Sequence, residues 1–127
     1  MISNNQNSKT SIGFIGLGAI GLPIASNLIK AGFSMKVHTR SRKAEKNKEL
    51  LGAKPSPNPK DSAKGSDYLL ICVSDDKAVE KVLFGKNGAN KGLKKGAIVI
   101  DLSTISPDKA RAFESKLAQQ GVIYIDA

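Results

Sequence analysis

No disulfide framework can hold this chain together, because Cys72 is its only cysteine. A zinc site is excluded on the same ground: one Cys and one His, His38, cannot supply the ligands, so no metal is expected. No nucleophile or carboxylate pattern pairs with His38, and no catalytic residue is assigned. Tryptophan is absent and aromatic residues are 5% of the chain. The core must therefore come from Ile, Leu, Val and Ala, as in layered α/β proteins. No apolar run approaches the roughly 20 residues of a membrane span, so no membrane partner is expected. Residues 1–10 are polar and lack the hydrophobic stretch of a secretory signal; they read as a disordered tail. A lone cysteine in an apolar run is by default buried and reduced, which favours a cytoplasmic protein.

Acid is also scarce. Twenty Lys and Arg stand against eleven Asp and Glu, a net charge of +9. Such a balance suits anionic partners, phosphorylated cofactors among them. Six basic residues meet only Glu45 between Lys36 and Lys48, and four lysines meet no acid between Lys86 and Lys95. Both stretches also read as solvated surface, the second more readily than the first. Neither is interleaved with aromatics or set in a DNA- or RNA-reading motif, so nucleic acid is not expected as a partner.

At 127 residues there is room for one domain, placed over 11–127. Short apolar runs alternate with amphipathic stretches, the pattern of βα repetition around a parallel sheet. Strands are predicted at 12–15, 34–39, 68–73, 97–102 and 122–125. A helix is predicted at 19–31, with Ile20, Ile24, Leu28 and Ala31 on one stripe. A charged, exposed helix follows at 41–51. Two more are predicted, at 75–84 with Ala78, Val79, Val82 and Leu83 inward, and at 106–120. Ser106-Pro107 starts the last of these, with serine as cap and proline in the first turn. The run Pro55-Ser56-Pro57-Asn58-Pro59 reads as an irregular connection, with a short helix before Gly65.

The first strand runs straight into Gly16-Leu17-Gly18-Ala19-Ile20-Gly21. GxGxxG is weak alone; between an apolar strand and an amphipathic helix it marks a dinucleotide-binding turn. Gly16 permits the tight turn, Gly18 lets backbone approach a pyrophosphate, and Gly21 lets helix and sheet pack closely. Amides near Ala19 and Ile20 would face the phosphates, with about 0.3–1 kcal/mol from the helix dipole. The fold expected is a Rossmann-type doubly wound parallel sheet.

Eighteen residues after Gly21, where an NAD site places Asp or Glu for the ribose 2′-hydroxyl, stands Thr39, followed by Arg40, Ser41 and Arg42. A carboxylate there would repel a 2′-phosphate, whereas Arg can grip one bidentately and Ser can donate to it. NADP is therefore favoured over NAD. The other reading of Arg40 is an ordinary surface charge. Val73 and Ser74 end the strand at 68–73, where backbone can line the ribose or nicotinamide. Asp75 and Asp76 read first as a helix N-terminus and second as an acid/base pair.

These residues also carry a resemblance. Gly13-Phe14-Ile15-Gly16-Leu17-Gly18, with Gly21, Pro23, Asn27-Leu28, Ala31-Gly32 and Arg40, resembles the opening of the β-hydroxyacid dehydrogenase family. Its members include 3-hydroxyisobutyrate dehydrogenase and, more distantly, 6-phosphogluconate dehydrogenase. The likeness continues through Ala78-Val79 to Val82-Leu83-Phe84-Gly85 and is strong at Ile100-Asp101-Leu102-Ser103-Thr104-Ile105-Ser106-Pro107. It implies that Gly18, Ala19 and Ile20 contact the pyrophosphate, Arg40 and Ser41 the adenosine end, and Val73 the nicotinamide ribose. Ser103 and Thr104 would lie where nicotinamide meets substrate, a small hydroxyacid or aldehyde. Read without the family, these two hydroxyls equally cap the next turn. The resemblance also implies that the lysine moving the substrate proton belongs to an all-helical domain beyond Ala127. The chain would then bind cofactor with little turnover; the other reading is a nucleotide-binding module that acts with a partner protein.

Overall fold

A computed structural model describes residues 7–42 and 47–127. Six strands form one sheet: β1 (Ser11–Ile15), β2 (Ser34–His38), β3 (Lys54–Pro55), β4 (Tyr68–Ile71), β5 (Ile98–Asp101) and β6 (Ile123–Asp126). Every pairing is parallel and the order is β3-β2-β1-β4-β5-β6. Helices α1 (Gly18–Lys30), α2 (Pro59–Ala63), α3 (Asp76–Phe84) and α4 (Pro107–Ala118) connect and cover the strands. This is the doubly wound Rossmann-type sheet expected from the alternating pattern.

Strand residues divide by parity, because successive side chains point to opposite faces. Leu69 and Ile71 of β4 join Val79 and Leu83 of α3 and Phe113 and Leu117 of α4. The Phe113 ring lies 5.8 Å from that of Phe84 and 6.1 Å, edge-on, from that of Tyr124. Leu70 and Cys72 belong to the other layer, with Phe14, Met35 and Val37 beneath Ala25 of α1. Burial on both faces is why the central strands read as continuous apolar runs. Beside β1, α2 sits almost on the strand: a Cβ on Gly13 would lie 2.3 Å from the Ser62 carbonyl oxygen. The absent side chain is what admits the helix backbone.

Several expectations need correction. Ile20 does not share the buried stripe of α1; it is 60% exposed, and Gly21, Ala25 and Ser26 are the buried residues. The Ile20 side chain lines the crevice at the carboxyl ends of the strands instead of the sheet face. Of the helix predicted over 41–51, residues 43–46 lie outside the described residues. Lys48–Leu50 is a short 3₁₀ helix, ended where Leu51 turns extended and Gly52 takes a φ of 104° to enter β3. The second residue of that strand, Pro55, opens the stretch read as irregular; a two-residue strand at the sheet edge tolerates a proline. Residues 1–6 of the expected disordered tail are also outside the described residues. Of the rest, Asn7 and Ser8 are helical, and the Asn7 amide donates to the Ala31 carbonyl at 2.6 Å. A carbonyl left over at the end of α1 gives that segment an anchor.

The acidic pair after β4 is resolved by its partners. Asp75 caps α3, accepting from the Ala78 N–H at 2.9 Å, and Asp76 accepts from the Ser106 N–H at 3.0 Å. Both carboxylates are occupied by backbone, so the helix-start reading is the one the geometry supports. Asp75→Ala is expected to lower unfolding free energy by about 1 kcal/mol in urea denaturation, with Asp75→Asn recovering most of the loss.

Candidate functional site

β1 and β4 are neighbours, yet their connections leave in opposite directions, so a crevice opens at their carboxyl ends. It measures about 710 Å³, within the usual range for a small-molecule site. The glycine turn forms its floor. Gly16 has a φ of 76°, and its N–H donates to the His38 carbonyl at 2.9 Å. A Cβ there would lie 2.4 Å from the Cys72 carbonyl oxygen, so the turn fits against β4 only as glycine. Gly18, with a φ of 53°, has no neighbour nearer to such an atom than Cys72 Sγ at 3.9 Å; its open side is the crevice.

Helix α1 differs from the other three described α-helices at its N-terminus. Asn58, Asp75 and Ser106 cap theirs with side-chain acceptors at 2.9, 2.9 and 3.3 Å. At α1 the capping position is Leu17, no side chain accepts, and the first turn holds no acid. Its leading N–H groups and the positive end of its dipole therefore face the crevice without a protein anion to answer them. That arrangement suits a phosphate group.

Of the residues expected to hold cofactor or substrate, Gly16, Gly18, Ala19, Ile20, Thr39, Arg40, Ser41, Val73, Ser74, Ser103 and Thr104 all line this one crevice. Gly21 does not. It is buried, and a Cβ on it would sit 3.3 Å from the Cys72 Cβ, so its part is the close packing of α1 on β4. Thr39 is buried while Arg40 and Ser41 are exposed. His38 also lines the crevice, with Nδ1 2.9 Å from the Ser56 carbonyl. A carbonyl only accepts, so Nδ1 carries the proton.

Ser103 has a structural task beside its place on the wall. Its hydroxyl oxygen accepts from the Val73 N–H at 2.9 Å, joining the ends of β4 and β5. Behind it lies a group whose part was not legible beforehand. Asp101 is fully buried, and its two oxygens accept from the Ser103 N–H at 2.9 Å and the Tyr124 hydroxyl at 2.6 Å. Burial raises the Asp101 carboxyl above the ordinary carboxylate range, against the opposing pull of the Tyr124 and Ser103 hydrogen bonds. Burial likewise raises the Tyr124 phenol, with Asp101 adding to it. The one signal in the sequence was an acid closing an otherwise apolar strand. Cys72 belongs to the wall too; burial raises its thiol, with the Asp101 charge adding to the effect, so it stays protonated at neutral pH.

Four further crevice residues lie in segments read as inward or solvated. Ala78 and Val82 of α3, expected inward, line the crevice, Val82 while also packing against the core as expected, and Lys81 and Lys86 line it beside them. A family model described as the NAD binding domain of 6-phosphogluconate dehydrogenase matches residues 11–127. The chain belongs to that family. The 2-hydroxy-3-oxopropionate reductase of Escherichia coli is 40% identical over 118 residues, covering 91% of this chain and 39% of that protein. The mitochondrial 3-hydroxyisobutyrate dehydrogenase of Rattus norvegicus is 33% identical, over 98% of this chain and 37% of its own. Among solved structures, Psf3 in complex with NADP+ and 2-OPP superposes with a TM-score of 0.81 at 34% identity, over 91% of this chain and 41% of Psf3. The chain thus spans about two fifths of the length of these relatives. Among the described residues no group of His, Cys, Asp and Glu could hold a metal, and no helix is long and apolar enough to cross a membrane.

Proposed function

We propose that this chain is the NADP-binding domain of an oxidoreductase acting on a small β-hydroxyacid or semialdehyde. The observation that carries the reading is the crevice wall after β2: Arg40 and Ser41 stand there, and among the described residues no Asp or Glu lines the crevice. An anion at the adenosine end would meet a guanidinium fork and a hydroxyl, both suited to a phosphate. The pyrophosphate would take the uncapped N-terminus of α1, where Gly18 leaves room. When bound, the cofactor supplies the hydride chemistry. The chain's own residues orient it: Val73 and Ser103, tied to each other, form the wall at the nicotinamide end, and exposed Thr104 faces the space left for substrate. The lysine that moves the substrate proton is assigned to a helical domain outside this sequence, as the family resemblance implies. A cytoplasmic location goes with this reading, in keeping with the lone buried thiol.

Titration with NADPH and NADH tests it. The wild-type chain is expected to bind NADPH about tenfold or more tightly, and Arg40→Ala to lose most of that margin while NADH binding barely moves. Equal affinity for the two cofactors, unchanged in the variant, would overturn the assignment to NADP.

A further inference from the structure

Arg40 meets the crevice from the end of β2; two other cations stand on another part of its wall. Lys81 belongs to α3 and Lys86 to the turn after it. Backbone contacts fix where that turn stands. The Lys60 N–H donates to the Asn87 carbonyl at 2.9 Å, so the turn abuts the start of α2. The segment entering α2 is itself held against β2, by His38 Nδ1 at 2.9 Å from the Ser56 carbonyl and the Ser56 N–H at 2.8 Å from the Val37 carbonyl. These contacts run from Lys86 to His38, two residues before Arg40. The lysines therefore belong to the adenosine end of the crevice, across from the nicotinamide wall.

Among the described residues no carboxylate balances their charge. Glu80, beside Lys81, is turned to Lys109 of α4 at 3.6 Å, and Asp75 and Asp76 accept from backbone. The next lysines along the chain are engaged: Lys91 donates to the Gly85 carbonyl at 2.9 Å and Lys94 pairs with Asp67 at 2.7 Å. Lys81 and Lys86 have no ion pair among the described residues. Cations sharing one crevice without an acid repel one another until an anion enters. Their flexible stems let each ammonium adjust to a point of charge, whereas Arg40 offers a planar fork.

We infer that Lys81 and Lys86 form the second jaw of a cationic clamp that closes, opposite Arg40, on the 2′-phosphate of the dinucleotide. The inference rests on the NADP reading above and names residues that set its strength. The probes are NADPH, NADH and 2′,5′-ADP, titrated against the wild-type chain, Lys81→Ala/Lys86→Ala and Lys81→Arg/Lys86→Arg at low and high salt, with thermal midpoints as a folding control. The alanine pair is expected to weaken NADPH and 2′,5′-ADP about tenfold or more at low salt and NADH less than about twofold. The difference should shrink at high salt, and the arginine pair should restore binding. If the wild type prefers NADPH and the alanine pair keeps that preference, the clamp is wrong and the NADP reading stands. Equal loss for NADPH and NADH also overturns it, since the lysines would then serve a group common to both. If the wild type binds both cofactors equally, the NADP reading fails and the clamp with it.

Discussion

Gly16→Ala is expected to abolish dinucleotide binding and to destabilise the chain by about 3 kcal/mol or more. Two effects combine. A φ of 76° is costly for any residue with a Cβ, by roughly 1–2 kcal/mol. The new atom would also lie 2.4 Å from the Cys72 carbonyl oxygen and 2.6 Å from Val73 Cγ1. The first of these neighbours is backbone just past β4, held by the Cys72 N–H to the Ile15 carbonyl at 2.9 Å, and cannot swing aside. Either β1 and β4 separate or the turn lifts, and both moves take the α1 amides away from the pyrophosphate position. Gly18→Ala makes the contrast. Its nearest neighbour would be 3.9 Å away, so only the φ term of about 1 kcal/mol applies, yet the added methyl group occupies the open side where a phosphate must approach. Urea unfolding separates the two variants, and cofactor titration should group them together. A Gly16→Ala chain as stable as wild type would refute this account of the turn.

Asp101→Ala is the second large effect, about 2–4 kcal/mol, because it leaves the Tyr124 hydroxyl and the Ser103 N–H buried without their acceptor. Asp101→Asn keeps an acceptor for Ser103 and presents an amide to Tyr124, so its loss should be much smaller. The two variants also differ from wild type in pH dependence. Burial raises the folded-state value of Asp101 above its unfolded one, so the folded chain holds a proton that the unfolded chain has released. Stability contributed by this group therefore falls as pH rises from the unfolded carboxylate range, near 4, to the raised value. Urea midpoints measured across that window should decline less steeply in Asp101→Asn. A slope identical to wild type would mean that Asp101 ionises as an ordinary carboxylate.

What the sequence made legible, and what it did not, follows from the range of each interaction. The glycine turn announced itself because its demands are local: Gly16 must turn and Gly18 must leave space within a few residues. β4 and β5 were legible because burial on both faces leaves an unbroken apolar run. Arg40 followed from its fixed distance beyond Gly21. By contrast, β3 exists only because β2 offers an edge to Lys54 and Pro55, a pairing no local pattern records. Ile20 fits the apolar stripe of α1 by periodicity, yet it stands exposed on the crevice wall. Lys86 looks like solvated charge along the chain, yet contacts such as that between the Lys60 N–H and the Asn87 carbonyl hold its turn at the crevice, where Lys81 of α3 also stands. Asp101 and Tyr124 are 23 residues apart, and their bond depends on the pairing of β5 with β6.

Gly13 carries a consequence for how the sheet finds its alignment. The carbonyl of Ser62 occupies the place its side chain would take. Within β1 that vacancy is unique, since Ser11, Ile12, Phe14 and Ile15 all carry a Cβ. Sliding β1 by one residue would drive Ile12 or Phe14 into the backbone of α2, and sliding by two would drive in Ser11 or Ile15. A parallel strand in the middle of a sheet has few other safeguards against such slippage, having no tight hairpin to set its phase. The smallest residue of β1 thus works as a keyhole, rejecting misaligned pairings while the chain is still assembling.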